Sequence, residues 1–106
     1  MASREERLAE NEILFRHVNE RIVELTDRWG GNLDLLCECA NDQCTSRIEL
    51  TLHEYERIRQ DPRHFALLPG HEIPEIEDVV ERTERYVVVE KHAETHDQVE
   101  SADPRS

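Results

Sequence analysis

The sequence is short of the residues that build a large core. Two Phe, two Tyr and one Trp are its only aromatic side chains, and hydrophobic residues of all kinds reach 37%, against 36% charged. A chain of 106 residues with that composition makes one modest, largely aliphatic core and a single domain. Glycine is scarce as well. Three in all, two of them adjacent at Gly30-Gly31, exclude the glycine-rich cradles that bind nucleotide phosphates. Lysine occurs once, at Lys91, against twelve arginines, and the net charge is −12. An acidic chain repels nucleic acid and anionic lipid alike, so both partners are disfavoured. The arginines offer planar, bidentate partners to the surrounding carboxylates. Apolar runs are short, with neither a signal-peptide core nor a stretch of membrane-spanning length, and the expected location is the cytoplasm. There is no internal repeat.

Cysteine is rare too, but it is concentrated. All three lie within eight positions, at Cys37, Cys39 and Cys44. Thiolates bind soft or borderline cations, and zinc takes four nitrogen or sulfur ligands in a tetrahedron, so three clustered sulfurs call for one more donor. Cys37 and Cys39 share a face of a strand and Glu38 takes the other, because side chains alternate. The polar run Ala40 to Gln43 has the turn chemistry to bring Cys44 back toward them. A disulfide between Cys37 and Cys39 is disfavoured, since their Cα atoms sit roughly 6.5 Å apart on an extended strand. A Cys39 to Cys44 bridge is sterically feasible, and three buried apolar thiols are the plainer alternative. An odd cysteine count in a reducing compartment favours metal over both.

Six histidines compete for the fourth place. His71 is the best candidate, because two prolines and a glycine in Leu68-Pro69-Gly70-His71-Glu72-Ile73-Pro74 restrict its backbone. His53, at a helix start, and His64, just after Asp61-Pro62, are possible substitutes. His17 lies far upstream on a helix, and His92 and His96 fall in a polar tail.

In order along the chain, Arg4 to Trp29 reads as an amphipathic helix with Leu8, Phe15, Val18, Ile22, Leu25 and Trp29 on one seam, ended by Gly30-Gly31. Asn11 takes a polar place in that seam, and Ile13 and Leu14 widen the stripe. Leu33 to Cys39 and Ser46 to Leu52 read as strands joined by the cysteine turn, the second alternating Ile48, Leu50 and Leu52 against polar residues. Thr51 with Glu54 forms a capping box for a short helix that buries Leu52, Tyr55 and Ile58 and stops at Asp61-Pro62. Phe65 to Leu68 is a brief extended run. Ile76 to Arg82 and Arg85 to Lys91 make a second hairpin, the latter rich in β-branched valine. Beyond His92 a mobile, polar tail is expected. The fold class is therefore α+β: an N-terminal amphipathic helix over 1–30, a zinc-binding domain over 31–91 with a small antiparallel sheet, a short helix and a zinc-stapled hairpin, and an acidic tail over 92–106.

Several stretches together resemble a group of small bacterial proteins. They are Asn11-Glu12, Phe15 to Ile22, Cys37-Glu38-Cys39 with Cys44, Glu54-Tyr55-Glu56 with Arg59, Asp61-Pro62-Arg63 with Phe65, Pro69-Gly70-His71-Glu72, and Val87 to Lys91. The resemblance implies that Cys37, Cys39, Cys44 and His71 are the metal set, and it brings no activity with it.

Catalytic patterns fail one by one. Glu72 follows His71, but the helical metalloprotease motif needs a second histidine where Glu75 stands. The zinc deaminase motif needs His-x-Glu before a Cys-x-x-Cys, and the order here is reversed. Four protein ligands also close a zinc sphere, whereas catalytic sites keep a place for water. The leading expectation is a non-enzymatic zinc module, interacting with a protein partner or a second copy through the N-terminal helix. Its zinc would stabilise a small core, and the metal-free chain would fold poorly. A thiol-based redox or metal sensor is the alternative, and a zinc hydrolase with Glu72 as base is a third reading.

Overall fold

A computed structural model describes residues 3–25, 32–41 and 43–105. It is an α+β architecture with two small antiparallel sheets. Helix α1 (Arg4–Leu25) leads into strand β1 (Asn32–Leu36), which pairs with β2 (Arg47–Thr51) in the register Leu33 to Leu50 and Leu35 to Ile48. Helix α2 (Leu52–Ile58) follows directly. Strands β3 (His64–Leu67), β4 (Glu77–Arg82) and β5 (Val87–Lys91) form the second sheet in the order β3-β5-β4. A 3-10 turn (Ala93–Thr95) and helix α3 (His96–Ser101) complete the chain.

Local chemistry accounts for most of these boundaries. Thr51 ends β2 one residue before the expected Leu52, because its hydroxyl accepts the Glu54 amide while Glu54 Oε1 accepts the Thr51 amide. Inside α2, Tyr55 and Ile58 are buried as expected, with Leu52 packed beside them. On β2, Ile48 and Leu50 face the core. The β4–β5 ladder shifts register between Val79 and Glu81, which leaves Val80 exposed on an edge strand. Arg57 grips Glu81 with two parallel bonds of 2.9 and 2.8 Å, the bidentate pairing that arginine favours.

The helix departs from the expected seam. Leu14, Val18 and Leu25 are 59%, 38% and 71% exposed, while the face turned inward carries Ala9, Glu12, Arg16, Asn19, Glu20 and Val23. Leu8 and Phe15 are half-buried shoulders, and Ile22 packs against the aliphatic core. The period of the inward face is helical, but its chemistry is polar. Each of these polar residues has a partner, although Glu12 Oε2 and Arg16 Nε themselves accept or donate no hydrogen bond among the described residues. Arg16 lies 3.6 Å over the Phe65 ring and donates to the Pro62 and His64 carbonyls, and Glu20 accepts from Arg59 Nε at 2.6 Å. The expected Trp29 end of the seam and the Gly30-Gly31 stop lie outside the described residues.

The tail also differs from the mobile segment expected from composition. Val99 is buried, Ala102 O accepts from His17 Nε2 at 2.9 Å, and Glu100 pairs with Arg63 at 2.7 Å. Asp103 bonds the buried Arg59, and Arg105 reaches Glu20 and Glu56. Its polar residues thus serve as ion-pair partners for groups inside the fold. Among the described residues, no helix is long and apolar enough to cross a membrane.

Candidate metal centre

The centre begins where β1 stops. After Leu36 the chain keeps one more bond to the β2 side, Cys37 N–H to Ser46 O at 3.0 Å, and then crosses to β3, where Glu38 N–H donates to Ala66 O at 2.9 Å. The expected strand to Cys39 is therefore shorter in ladder terms, because residues 37–38 bridge the two sheets. The alternation still holds. Cys37 and Cys39 face one way and Glu38 the other, where Glu38 is fully buried and accepts from Asn19 Nδ2 at 2.9 Å, Tyr55 Oη at 3.3 Å and the Ala66 amide at 3.0 Å.

Cys44 returns through a turn at Asn41, whose carbonyl accepts the Cys44 amide at 3.0 Å and whose side chain accepts the Gln43 amide at 3.0 Å. His71 arrives from the other direction. At the end of β3, Pro69 and Gly70 occupy the middle of a turn closed by His71 N–H to Leu68 O at 3.0 Å, and Gly70 has φ +94°. Proline then glycine at positive φ is the pattern of a type II turn, so these two residues direct the imidazole back toward Cys37. Its Nδ1 lies 3.5 Å from Cys37 Sγ and 3.6 Å from Cys44 Sγ.

All four donor atoms, three Sγ and the His71 nitrogen, lie within 4.8 Å of one another. The cluster is able to hold a metal ion. Cys37 and Cys39 are buried, and Cys44 and His71 are partly so; all three cysteines are free thiols. The Leu68 amide donates to Cys37 Sγ at 3.1 Å, orienting that sulfur. The hydrogen bond between Cys37 and Cys39 pulls the Cys39 thiol down to about 5, and the same bond, with burial, pushes Cys37 up. Binding a cation would displace protons from the thiols.

The other histidines sit elsewhere. His53 is exposed on α2. His64 meets Glu90, its cross-strand partner, at 3.2 Å and Asp61 at 3.5 Å. His92 faces Asp78, and His96 bonds the Lys91 carbonyl. Glu72, the candidate base, is tied into its own loop: one oxygen accepts the Gly70 amide at 2.9 Å and the other faces Arg82 at 3.3 Å. Its own backbone amide is the main cause that holds its carboxyl below the usual range.

The sequence placed Asn11 in the helix seam and Glu38 on the face opposite the cysteines, but gave neither of them, nor Asn19, a part in the centre. Asn19 accepts the Leu36 amide at 2.7 Å and donates to the Leu36 carbonyl at 2.9 Å, and Asn11 Nδ2 donates to Ala40 O at 2.9 Å. The available signal was a pair of amides on an otherwise amphipathic helix, and the buried acid between two cysteines. Comparison of the chain with protein-family models, curated proteins and solved structures gives no match.

Proposed function

We propose that this chain is a non-enzymatic zinc-binding module in which Cys37, Cys39, Cys44 and His71 hold a structural zinc ion. The observation that carries the reading is the pair of sulfur-to-nitrogen separations, 3.5 and 3.6 Å. A tetrahedral zinc with sulfur at about 2.3 Å and nitrogen at about 2.0–2.1 Å has sulfur-to-nitrogen edges of about 3.5 Å. Four protein donors complete that tetrahedron and leave no place for a reactive water. The position fits the role, because the four ligands would staple the β1–β2 connection to the turn after β3. The engagement of Glu72 with Gly70 and Arg82 argues against a hydrolytic base there.

The outer face of α1 supports the interaction part of the reading. Leu14, Val18 and Leu25 expose apolar surface along one side of the helix, suited to a protein partner or a second copy. The resemblance to small bacterial proteins and the unbridged thiols agree with a cytoplasmic setting. A thiol-based redox or metal sensor is the second reading, favoured by Cys44, which is the one ligand sulfur not fully buried.

Metal analysis of the purified protein tests the centre: one zinc per chain is expected, falling sharply in Cys39→Ser. Absence of zinc, or full occupancy in that variant, defeats the proposal. Zinc release at low peroxide, reversed by a thiol reductant, would move the sensor ahead. Sedimentation of Leu14→Asp/Val18→Asp, which changes only exposed positions, tests the helix face. Loss of self-association or of a captured partner with unchanged zinc is expected; a parent that associates with nothing removes that part.

A further inference from the structure

Helix α1 braces the cysteine-bearing segment on both sides of its first two sulfurs. Asn19 takes both backbone groups of Leu36, immediately before Cys37, and also bonds Glu38, between the two cysteines. Asn11 takes the carbonyl of Ala40, immediately after Cys39. The two asparagines lie eight positions apart along the helix, and between them they grip residues 36, 38 and 40 of a five-residue stretch. Past Leu36, the last residue of the β1–β2 ladder, the stretch keeps backbone bonds from Cys37 to Ser46 and from Glu38 to Ala66. Its path is therefore set by these bonds together with side chains from α1.

We infer that Asn11 and Asn19 are positioning residues of the metal centre, so that docking of α1 and binding of the metal are one coupled equilibrium. The inference rests on the zinc reading above and concerns what tunes that site. Neither asparagine offers a donor to the metal. Each instead fixes the spacing of Cys37 and Cys39, which a four-donor site needs before the ion arrives, and ordering that stretch in advance lowers the entropic cost of binding. Coupling of this kind is reciprocal: whatever α1 docking contributes to zinc affinity, zinc contributes to α1 docking by the same factor. The outer face of the same helix carries the exposed Leu14, Val18 and Leu25, so an event at the sulfurs is transmitted to the surface proposed for a partner.

Competition between the full-length protein and a chromogenic zinc chelator tests the inference. Asn11→Ala and Asn19→Ala should each weaken zinc binding by about tenfold, within the usual range for such coupling. Thr51→Ala, which removes the N-terminal cap of α2 and leaves the Tyr55 to Glu38 bond in place, should stay within about twofold. In the reciprocal measurement, chelation should speed amide exchange in α1 more than in the β4–β5 hairpin. Unchanged affinity in both asparagine variants overturns the inference. So does an equal loss in Thr51→Ala, which would mean that zinc reads only global stability. Should Asn19→Ala fail to fold, Asn11→Ala at its half-buried position decides alone. A parent protein that binds no zinc refutes the metal reading itself, and is distinguished from these outcomes by the zinc content of the parent.

Discussion

Glu12, Lys91 and Glu77 are as deeply buried as Cys37 and Cys39, yet the two clusters differ in what can neutralise them. Lys91 Nζ lies 2.6 Å from Glu12 Oε1 and 3.3 Å from Glu77 Oε1, and Glu77 also accepts the Ile73 amide at 3.0 Å. Two carboxyl groups and one ammonium reach neutrality with a single proton. Burial, reinforced by Glu77, raises the Glu12 carboxyl well above the ordinary range. Among the described residues, the metal centre gathers three sulfurs and an imidazole, a donor set able to hold an ion, whereas the triad is balanced by the chain's own ammonium and one proton. The comparison shows two ways in which a small protein seats ionisable groups inside a thin core, one paired within the chain and the other carrying the donors to hold an external ion.

The largest effect should come from removing that ion. Zinc sites of this donor type contribute on the order of 10 kcal/mol in small peptides, comparable to the whole stability of a domain. Chelation, followed by circular dichroism and thermal melting, should abolish the cooperative transition or lower its midpoint steeply. A melt unchanged by exhaustive chelation would mean that the centre contributes nothing.

Breaking the triad should come next. Lys91→Met leaves Glu77 without its buried cation, and a one-sided loss of this kind costs about 3–5 kcal/mol. Urea denaturation with zinc saturating would measure it, and a loss below about 1 kcal/mol would show that water reaches the triad.

A smaller effect sharpens the comparison through pH. Below the ordinary glutamate range both folded and unfolded chains carry the Glu12 proton, and its contribution is fully present. As pH rises, the unfolded chain releases the proton first, so stability is lost progressively up to and through the raised folded value. Glu12→Gln keeps the neutral shape, and the difference between its stability and the parent's should grow with pH across that window. A difference independent of pH would show that Glu12 is ionised in the fold.

The smallest effect is a local control. Thr51→Ala removes the hydroxyl that caps α2 and should cost about 1 kcal/mol by the same denaturation assay, with no change in zinc content. A change in zinc content would mean that α2 and the centre are not independent.

The short helix and the four-donor cluster were both legible in the amino-acid order, for different reasons. The Thr51 and Glu54 bonds span three residues, and the cysteine spacing confines two sulfurs to one face of one extended segment. His71 was legible because Pro69-Gly70 restricts its backbone. The inward face of α1 was not. A stripe of Leu8, Phe15, Val18, Ile22 and Leu25 is the natural buried side of an isolated amphipathic helix, and nothing in its own twenty-two residues announces that Glu12 will meet a lysine 79 positions later. The polar tail was opaque for the same reason. Its partners Arg59, Arg63 and Glu20 lie far away in sequence, so composition alone described it as solvated.

By itself the sequence determined what depends on neighbours a few residues apart: the cap of α2, the alternation of β2, the turn at Pro69-Gly70 and the donor types at 37, 39, 44 and 71. Only the tertiary structure decided which side of α1 is buried and which distant groups meet Glu38. Those outcomes depend on desolvation and on pairing between distant groups. A charged side chain is stable inside only when its particular partner arrives there too, and that meeting is a property of the assembled fold.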